Sequence, residues 1–482
     1  MESNAPIHVL LVSYPAQGHI NPLLRLAKSI AAKGLFVTFV TTEDVGKDIR
    51  AANSIAHESV TPVGEGFLKF EFFEEGLVPD DPIKENPTDH IAHTEHVGRK
   101  FISQMIEKHE STNHPISCII NNPFYPWVSD AAAEHDIPSA VLWTQSVAIF
   151  IVYHHYFHKL VPFPSDTEPC IDVQLPSLLL KYNEIPDFLL PTTSFPLLRT
   201  IILEQFKYLS KPFCVLVDSF EELEHDSINY ISKFVPIISS VGPLFKNNPK
   251  APSTTDIRGD FFKPDNCIEW LNSRPSSSVV YISFGSLVHL PQKQVDEIAY
   301  GLVNSKVSFL WVLKLPPKDW VGLQPHVLPD GFLEETSDKG KVVQWSPQEQ
   351  VLAHPSVSCF LTHCGWNSTM EALASGVPVL TFPTWGDQVT NAKFLVDVFE
   401  VGVRLGYTQA ENKLVTRDEV EKCLLEATVG AKAEELKKNA FKWKEAAGAA
   451  VAVSGSSHQN LDAFVEDIKK RAHKVPSISS LP

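Results

Sequence analysis

Residues 363–369, HCGWNST, gather a histidine, a glycine, a tryptophan, an asparagine and two hydroxyl side chains just ahead of MEALASG, a short amphipathic helical pattern closed by Gly376. A helix start carries unpaired amide hydrogens and a partial positive charge, so the cluster suits phosphate. Around it, Trp345 can stack on a base, Gln348 and Glu371 can bind a ribose, and His363, Asn367 and Ser368 lie where a diphosphate would meet the helix start. Asp387 and Gln388 add acceptors and donors suited to sugar hydroxyls. Near the N-terminus, in PAQGHINPLLRLAKSI, Gly18 permits a sharp turn and His19 stands just ahead of a helix. Imidazole is the side chain best suited to move a proton near neutral pH. An isolated histidine there is more often a cap or packing residue; its place after a strand, in a chain with a phosphate-type site in its other half, reverses that preference.

These residues need strands to hold them. HVLLVSY, FVTFVTT, SCIINN, SAVLWT and FCVLVDSF read as strands in the first half, and VVYISFGS, SFLWVLK, GKVVQW, VSCFLTH and PVLTFP in the second. Their near-continuous hydrophobicity implies strands covered on both faces, hence parallel sheets wrapped by helices. The fold class is therefore α/β with two Rossmann-like, doubly wound domains: 1–242, a linker at 243–260, 261–457, and a final helix and tail at 458–482. Such domains place a cleft between the carboxyl ends of both sheets, where open α/β folds bind ligands.

Composition narrows the partners. A net charge of -16 argues against nucleic acid or an anionic membrane, so any anionic ligand must be held by local groups. Seven scattered cysteines without a C-x-x-C pair suit free thiols in a reducing compartment. The N-terminus lacks a basic leader, and no apolar run reaches the roughly 20 residues of a membrane span. A cytoplasmic monomer is expected.

The segment from Trp345 to Gln388 resembles the signature box of plant family-1 UDP-glycosyltransferases, and the resemblance extends over essentially the whole chain, including PAQGHINP and YISFGS. It implies the two-domain GT-B fold, with acceptor bound mostly by the first half and nucleotide sugar by the second. By that resemblance Trp345 stacks on uracil and Gln348 and Glu371 bind ribose. His363, Asn367, Ser368 and Ser286 hold the diphosphate, while Gly18, Trp366, Asp387, Gln388 and Thr144 belong to the rest of the donor site. A glutamine closing the box favours UDP-glucose as co-substrate. An inverting transfer then needs a base at the acceptor, His19, and charge stabilisation at the departing phosphate. No D-x-D motif occurs, so catalysis without a metal is expected.

One departure matters. Where most relatives carry an aspartate that holds the catalytic histidine, this chain has Asn122. Asparagine can still accept a hydrogen bond from the imidazole, but it cannot stabilise the imidazolium by charge. His19 is then a weaker base, adequate for a carboxylic acid of pKa about 4, intermediate for a phenol at about 10, and poor for an alcohol. INNPFYPWVSD and LVPFPS are similar to the branch that makes glucose esters of hydroxycinnamic and related acids, whose members often accept phenols too. Phe124, Trp127, Trp385 and Phe195 are candidates to line the pocket of a flat aromatic guest.

Other clusters have plainer readings. His90, His93 and His96, and His154 and His158, sit at helical spacing but lack the surroundings of a metal site. G-x-G-x-x-G and G-x-S-x-G are both absent, which disfavours a dehydrogenase or a hydrolase. The alternative that stays open is a catalytically silent protein that binds a nucleotide sugar.

Overall fold

The apolar runs form two sheets in the computed structural model, which describes residues 6–53, 59–78, 81–110, 112, 114–175, 178–235, 237–246, 266–316, 323–406 and 414–472. The first sheet has eight strands in the order Ile238–Ser240, Cys214–Val217, Ser139–Trp143, Ile116–Asn121, His8–Val12, Phe36–Thr42, Gly66–Phe73 and Val60–Val63. All neighbours are parallel except the last pair. Alternate residues of His8–Val12 enter different cores. Val9 and Leu11 pack with the helix Gln17–Ala31, and Leu10 and Val12 pack with Ile102, Trp127 and Val128. Both faces are apolar, which is why this strand reads as an uninterrupted hydrophobic run.

The second sheet is parallel throughout, in the order Gly340–Val343, Ser308–Val312, Val279–Ser283, Val357–Thr362, Val379–Thr381 and Gly402–Arg404. Gly66–Phe73 escapes a search for continuous apolar runs because Lys69 and Glu71 interrupt it. They pair with each other while Leu68 and Phe70 fill the core.

The chain divides into two compact units. One comprises Met1–Lys159, Phe195–Phe261 and Ala449–Pro482, and the other Leu160–Ser194 and Phe262–Gly448. Residues 160–194, read from sequence with the first domain, pack with the second unit. The buried Glu184 carboxylate lies 3.2 Å from Lys393 Nζ and 3.6 Å from Arg404 Nη1, and Asp187 Oδ1 accepts from the Gly386 amide at 2.6 Å. Partners about 200 positions away leave no local trace in a sequence pattern. The final helix, Ser456–Ala472, sets Leu461, Phe464, Val465 and Ile468 into the core of the first unit. Most of the linker reading, 247–260, and the tail from 473 lie outside the described residues. Among the described residues no helix is long and apolar enough to cross a membrane.

Candidate active site

In the first unit, neighbouring parallel strands bring together residues 103 positions apart. His8–Val12 and Ile116–Asn121 end side by side, and the Asn122 amide donates to Val12 O at 3.0 Å. His19 lies in the first turn of Gln17–Ala31 rather than ahead of the helix, and its Nδ1 is 3.0 Å from Asn122 Nδ2. Asn122 is fully buried and its Oδ1 accepts from the Phe124 amide at 2.9 Å. That second bond fixes which end of the side-chain amide faces the histidine, so Nδ2 donates to Nδ1. The expectation was that asparagine accepts from the imidazole. The bond runs the other way. Burial holds His19 down to a pKa of about 4.

Phe124 and Tyr14 flank the imidazole, with ring centroids 4.4 and 5.3 Å from it. Phe124, singled out from the sequence, and Tyr14, which was not, are thus the aromatic neighbours of His19. Trp127 corrects an expectation. It is 4% exposed, packs with its ring tilted against Tyr125 at a centroid distance of 5.3 Å, and fills a core pocket because Gly98 has no side chain there. Thr144 follows the strand Ser139–Trp143 and is buried. Its loop is anchored by Glu224, which accepts from the Val147 and Ala148 amides at 3.1 and 3.0 Å. The start of that helix is thus already occupied by a carboxylate.

The second unit brings together Gln348, Ser368 and Glu371. Gln348 Nε2 donates to Ser368 Oγ at 2.9 Å and to Glu371 Oε2 at 2.8 Å. Tyr281, whose hydroxyl donates to Gln348 Oε1 at 3.2 Å and lies 2.9 Å from Ser346 Oγ, completes the network. The sequence marks Tyr281 as a strand residue within YISFGS and gives it no site role.

Strands Val279–Ser283 and Val357–Thr362 are also neighbours, so the loop carrying Gly285 and Ser286 emerges beside His363. The His363 ring occupies space that two glycines leave open. A Cβ on Gly285 would stand 2.4 Å from its Nε2 and one on Gly365 would stand 2.5 Å away. Gly285 also has φ +70°, a left-handed conformation that glycine adopts without strain. Burial, followed by the nearby charge of Lys314, lowers His363 to about 3.

Gly365 caps the helix Trp366–Ser375 without a side-chain bond, in contrast to the helix that follows Thr144. Asn367 and Ser368 lie in its first turn, and Trp366, its first residue, is 4% exposed. Lys314 was also missed. Its Nζ lies 5.6 Å from the centroid of Trp345, and burial lowers its pKa to about 7.

At the other end of the segment, Gln388 Oε1 accepts from the Thr384 and Trp385 amides at 2.9 and 3.2 Å and from Thr384 Oγ1 at 2.7 Å. Its oxygen is taken, so Gln388 offers a ligand its NH₂ donors. Asn391 Nδ2 ties Asp387 Oδ2 at 2.7 Å to the Cys364 carbonyl at 3.0 Å, coupling both ends of the site. Trp385 is half-buried, 5.8 Å from the Phe188 ring. Gly18 sits at the start of the His19 helix. Among the described residues no group of three or more His, Cys, Asp or Glu could hold a metal ion. His90 and His93 instead bind Glu75, through its carboxylate at 3.2 Å and its carbonyl at 2.7 Å.

Comparison with known proteins identifies the family. Residues 249–440 match the family described as UDP-glucoronosyl and UDP-glucosyl transferase, and residues 5–158 match the glycosyltransferase N-terminal domain. The chain is 60% identical to gallate 1-beta-glucosyltransferase 84A24 of Punica granatum, over 100% of this chain and 92% of that protein. It is 55% identical to cinnamate beta-D-glucosyltransferase of Fragaria ananassa, over 100% and 86%. Os79 from O. sativa in complex with UDP superposes with a TM-score of 0.81 at 26% identity, over 95% of this chain and 100% of that one. The fold is GT-B, and the co-substrate is a UDP-sugar used without a metal. The chain belongs to the plant family-1 UDP-glycosyltransferases and is a UDP-glucosyltransferase.

Proposed function

We propose that this enzyme joins glucose from UDP-glucose to the carboxylate of gallate-type and hydroxycinnamate-type acids, giving glucose esters, with phenols as secondary acceptors. The observation that carries this reading is Asn122. A buried neutral amide beside His19 supplies no charge to hold an imidazolium, and burial already keeps the ring neutral down to a pH of about 4. A carboxylic acid, with a pKa of about 4, arrives deprotonated. Its oxygen attacks the anomeric carbon as the bond to the UDP oxygen breaks, and no proton need be removed. The gallate and cinnamate specificities of the named relatives point the same way.

On the donor side, Trp345 holds the base, and Gln348 with Glu371 holds the ribose. His363, Ser286, Asn367, Ser368 and the helix start meet the diphosphate, where negative charge develops. Asp387, Gln388 and Thr144 meet the sugar. Phe124, Tyr14 and Trp385 contact the acceptor. A monomer is the proposed working unit. Seven free thiols suit the cytosol.

The test is to incubate the protein with UDP-glucose, gallate, a hydroxycinnamate and a phenol that lacks a carboxyl group. Acid acceptors should gain one hexose in an alkali-labile linkage, at rates above that of the phenol. Alkali-stable products alone would contradict the ester reading, and UDP binding without any transfer would favour the silent protein.

A further inference from the structure

We propose that His19 acts on acid acceptors as a hydrogen-bond donor through Nε2–H, and that Asn122 is the positioning residue that selects this tautomer. The inference rests on the ester-forming reading and specifies how its acceptor is recognised.

Four hydrogen bonds carry it. The Phe124 amide donates to Asn122 Oδ1 at 2.9 Å, and a backbone N–H can only donate, so the oxygen end of the amide is assigned. The NH₂ end then faces His19 Nδ1 at 3.0 Å. An amide NH₂ has no acceptor to offer, so Nδ1 must bring a lone pair. Asn122 is itself pinned, its own amide bonded to Val12 O at 3.0 Å and its carbonyl accepting from Tyr125 N at 2.9 Å, so the side chain cannot turn without breaking the Phe124 bond. The low pKa of His19 means that the ring carries one proton at neutral pH, and with Nδ1 bare that proton is on Nε2.

An aspartate at the same place would accept from Nδ1–H and leave Nε2 bare, ready to take a proton. The asparagine reverses both nitrogens. The imidazole edge that a base would use becomes a donor, suited to an anionic oxygen and unsuited to deprotonating a phenol. With a carboxylate the step balances without it. The new bond joins a carboxylate oxygen to the anomeric carbon, the old bond releases UDP with its electron pair, and His19 keeps its proton while orienting the nucleophile. The second carboxylate oxygen is the natural acceptor for Nε2–H, because it takes no part in the new bond.

The full-length enzyme with isotopically labelled histidine ring nitrogens, compared with His19→Gln to assign the signals, reports the tautomer directly by nitrogen NMR. The wild type should show an unprotonated Nδ1 and a protonated Nε2, and Asn122→Asp should exchange them. A wild-type proton on Nδ1 overturns the proposal whatever acceptors are used. An Nε2–H tautomer in an enzyme that transfers no glucose to acids overturns the ester reading instead.

Kinetics give an independent measure, because glutamine can donate a hydrogen bond but cannot act as a base. His19→Gln should exceed His19→Ala at least about tenfold in kcat/KM on acids, the scale of one hydrogen bond to a charged group. On phenols both variants should be equally poor. Equal activity of the two on acids would overturn the donor role.

Discussion

His19 and His363 invite comparison, because both follow a strand end, both are made less basic by burial, and they are held by opposite means. His19, at about 4, is oriented by a hydrogen bond from an amide that is itself pinned by Phe124. His363, at about 3, has a buried Nδ1 with no hydrogen-bond partner among the described residues and is positioned by the space over Gly285 and Gly365. A ring oriented by one bond can change its chemistry with one substitution. A ring oriented by shape can only be displaced. On the proposed reading the acceptor side is therefore where preference can be altered, and the donor side is where a change lowers the rate for every acceptor.

The largest predicted effect is on the donor side. Gly285→Ala adds a methyl 2.4 Å from the His363 ring at a φ of +70°, so both packing and backbone resist it. A fall in kcat/KM of about a hundredfold or more, the scale of losing a positioned donor at a developing charge, is expected for acids and phenols alike. Gly365→Ala sharpens the point. It brings the same clash, 2.5 Å from Nε2, without the left-handed backbone, and should be the milder variant. A selective loss for one acceptor class would break the distinction between the two sides.

Lys314→Gln comes next. This half-buried amine beside Trp345, with a pKa near 7, should gain its full charge when an anionic diphosphate arrives. Its removal should raise the KM for UDP-glucose by about tenfold, the worth of one modest charge interaction, and leave the acid-to-phenol ratio unchanged.

The last effect is on stability rather than on rate. His8, His19, His154 and His363 have folded-state values of about 4, 4, 4 and 3, below the ordinary 6.5. An unfolded chain binds their protons first as the pH falls, so their contribution is fully present above about 6.5 and is lost on the way down to about 4. The thermal midpoint should decline across that window. A midpoint constant from pH 7 to 5 would show that these rings are not kept neutral.

Much of the proposed donor site was legible in the sequence because its residues lie in one segment, between Trp345 and Gln388, that follows the ends of two short strands, Gly340–Val343 and Val357–Thr362. The pairing of His19 with Asn122 was legible only through family resemblance, and the direction of their hydrogen bond was not legible at all. It depends on a backbone amide two residues on, at Phe124, which composition and spacing do not reveal. Trp127 and Phe124 illustrate the same limit. Three positions apart, one turns into the core against Gly98 and the other toward His19. Glu184 and Lys393, joined across some 200 residues, explain why residues 160–194 pack with the second unit, a partnership no local pattern announces.

The most direct measurement is the ratio of phenol to carboxylate kcat/KM in Asn122→Asp against the wild type, with both acceptors of matched ring size. A carboxylate there supports an imidazolium and frees Nε2 to accept a proton, so the ratio should rise by about tenfold or more, within the range of general-base contributions. A ratio that stays level or falls, in a variant that still binds UDP, would contradict the role given to Asn122.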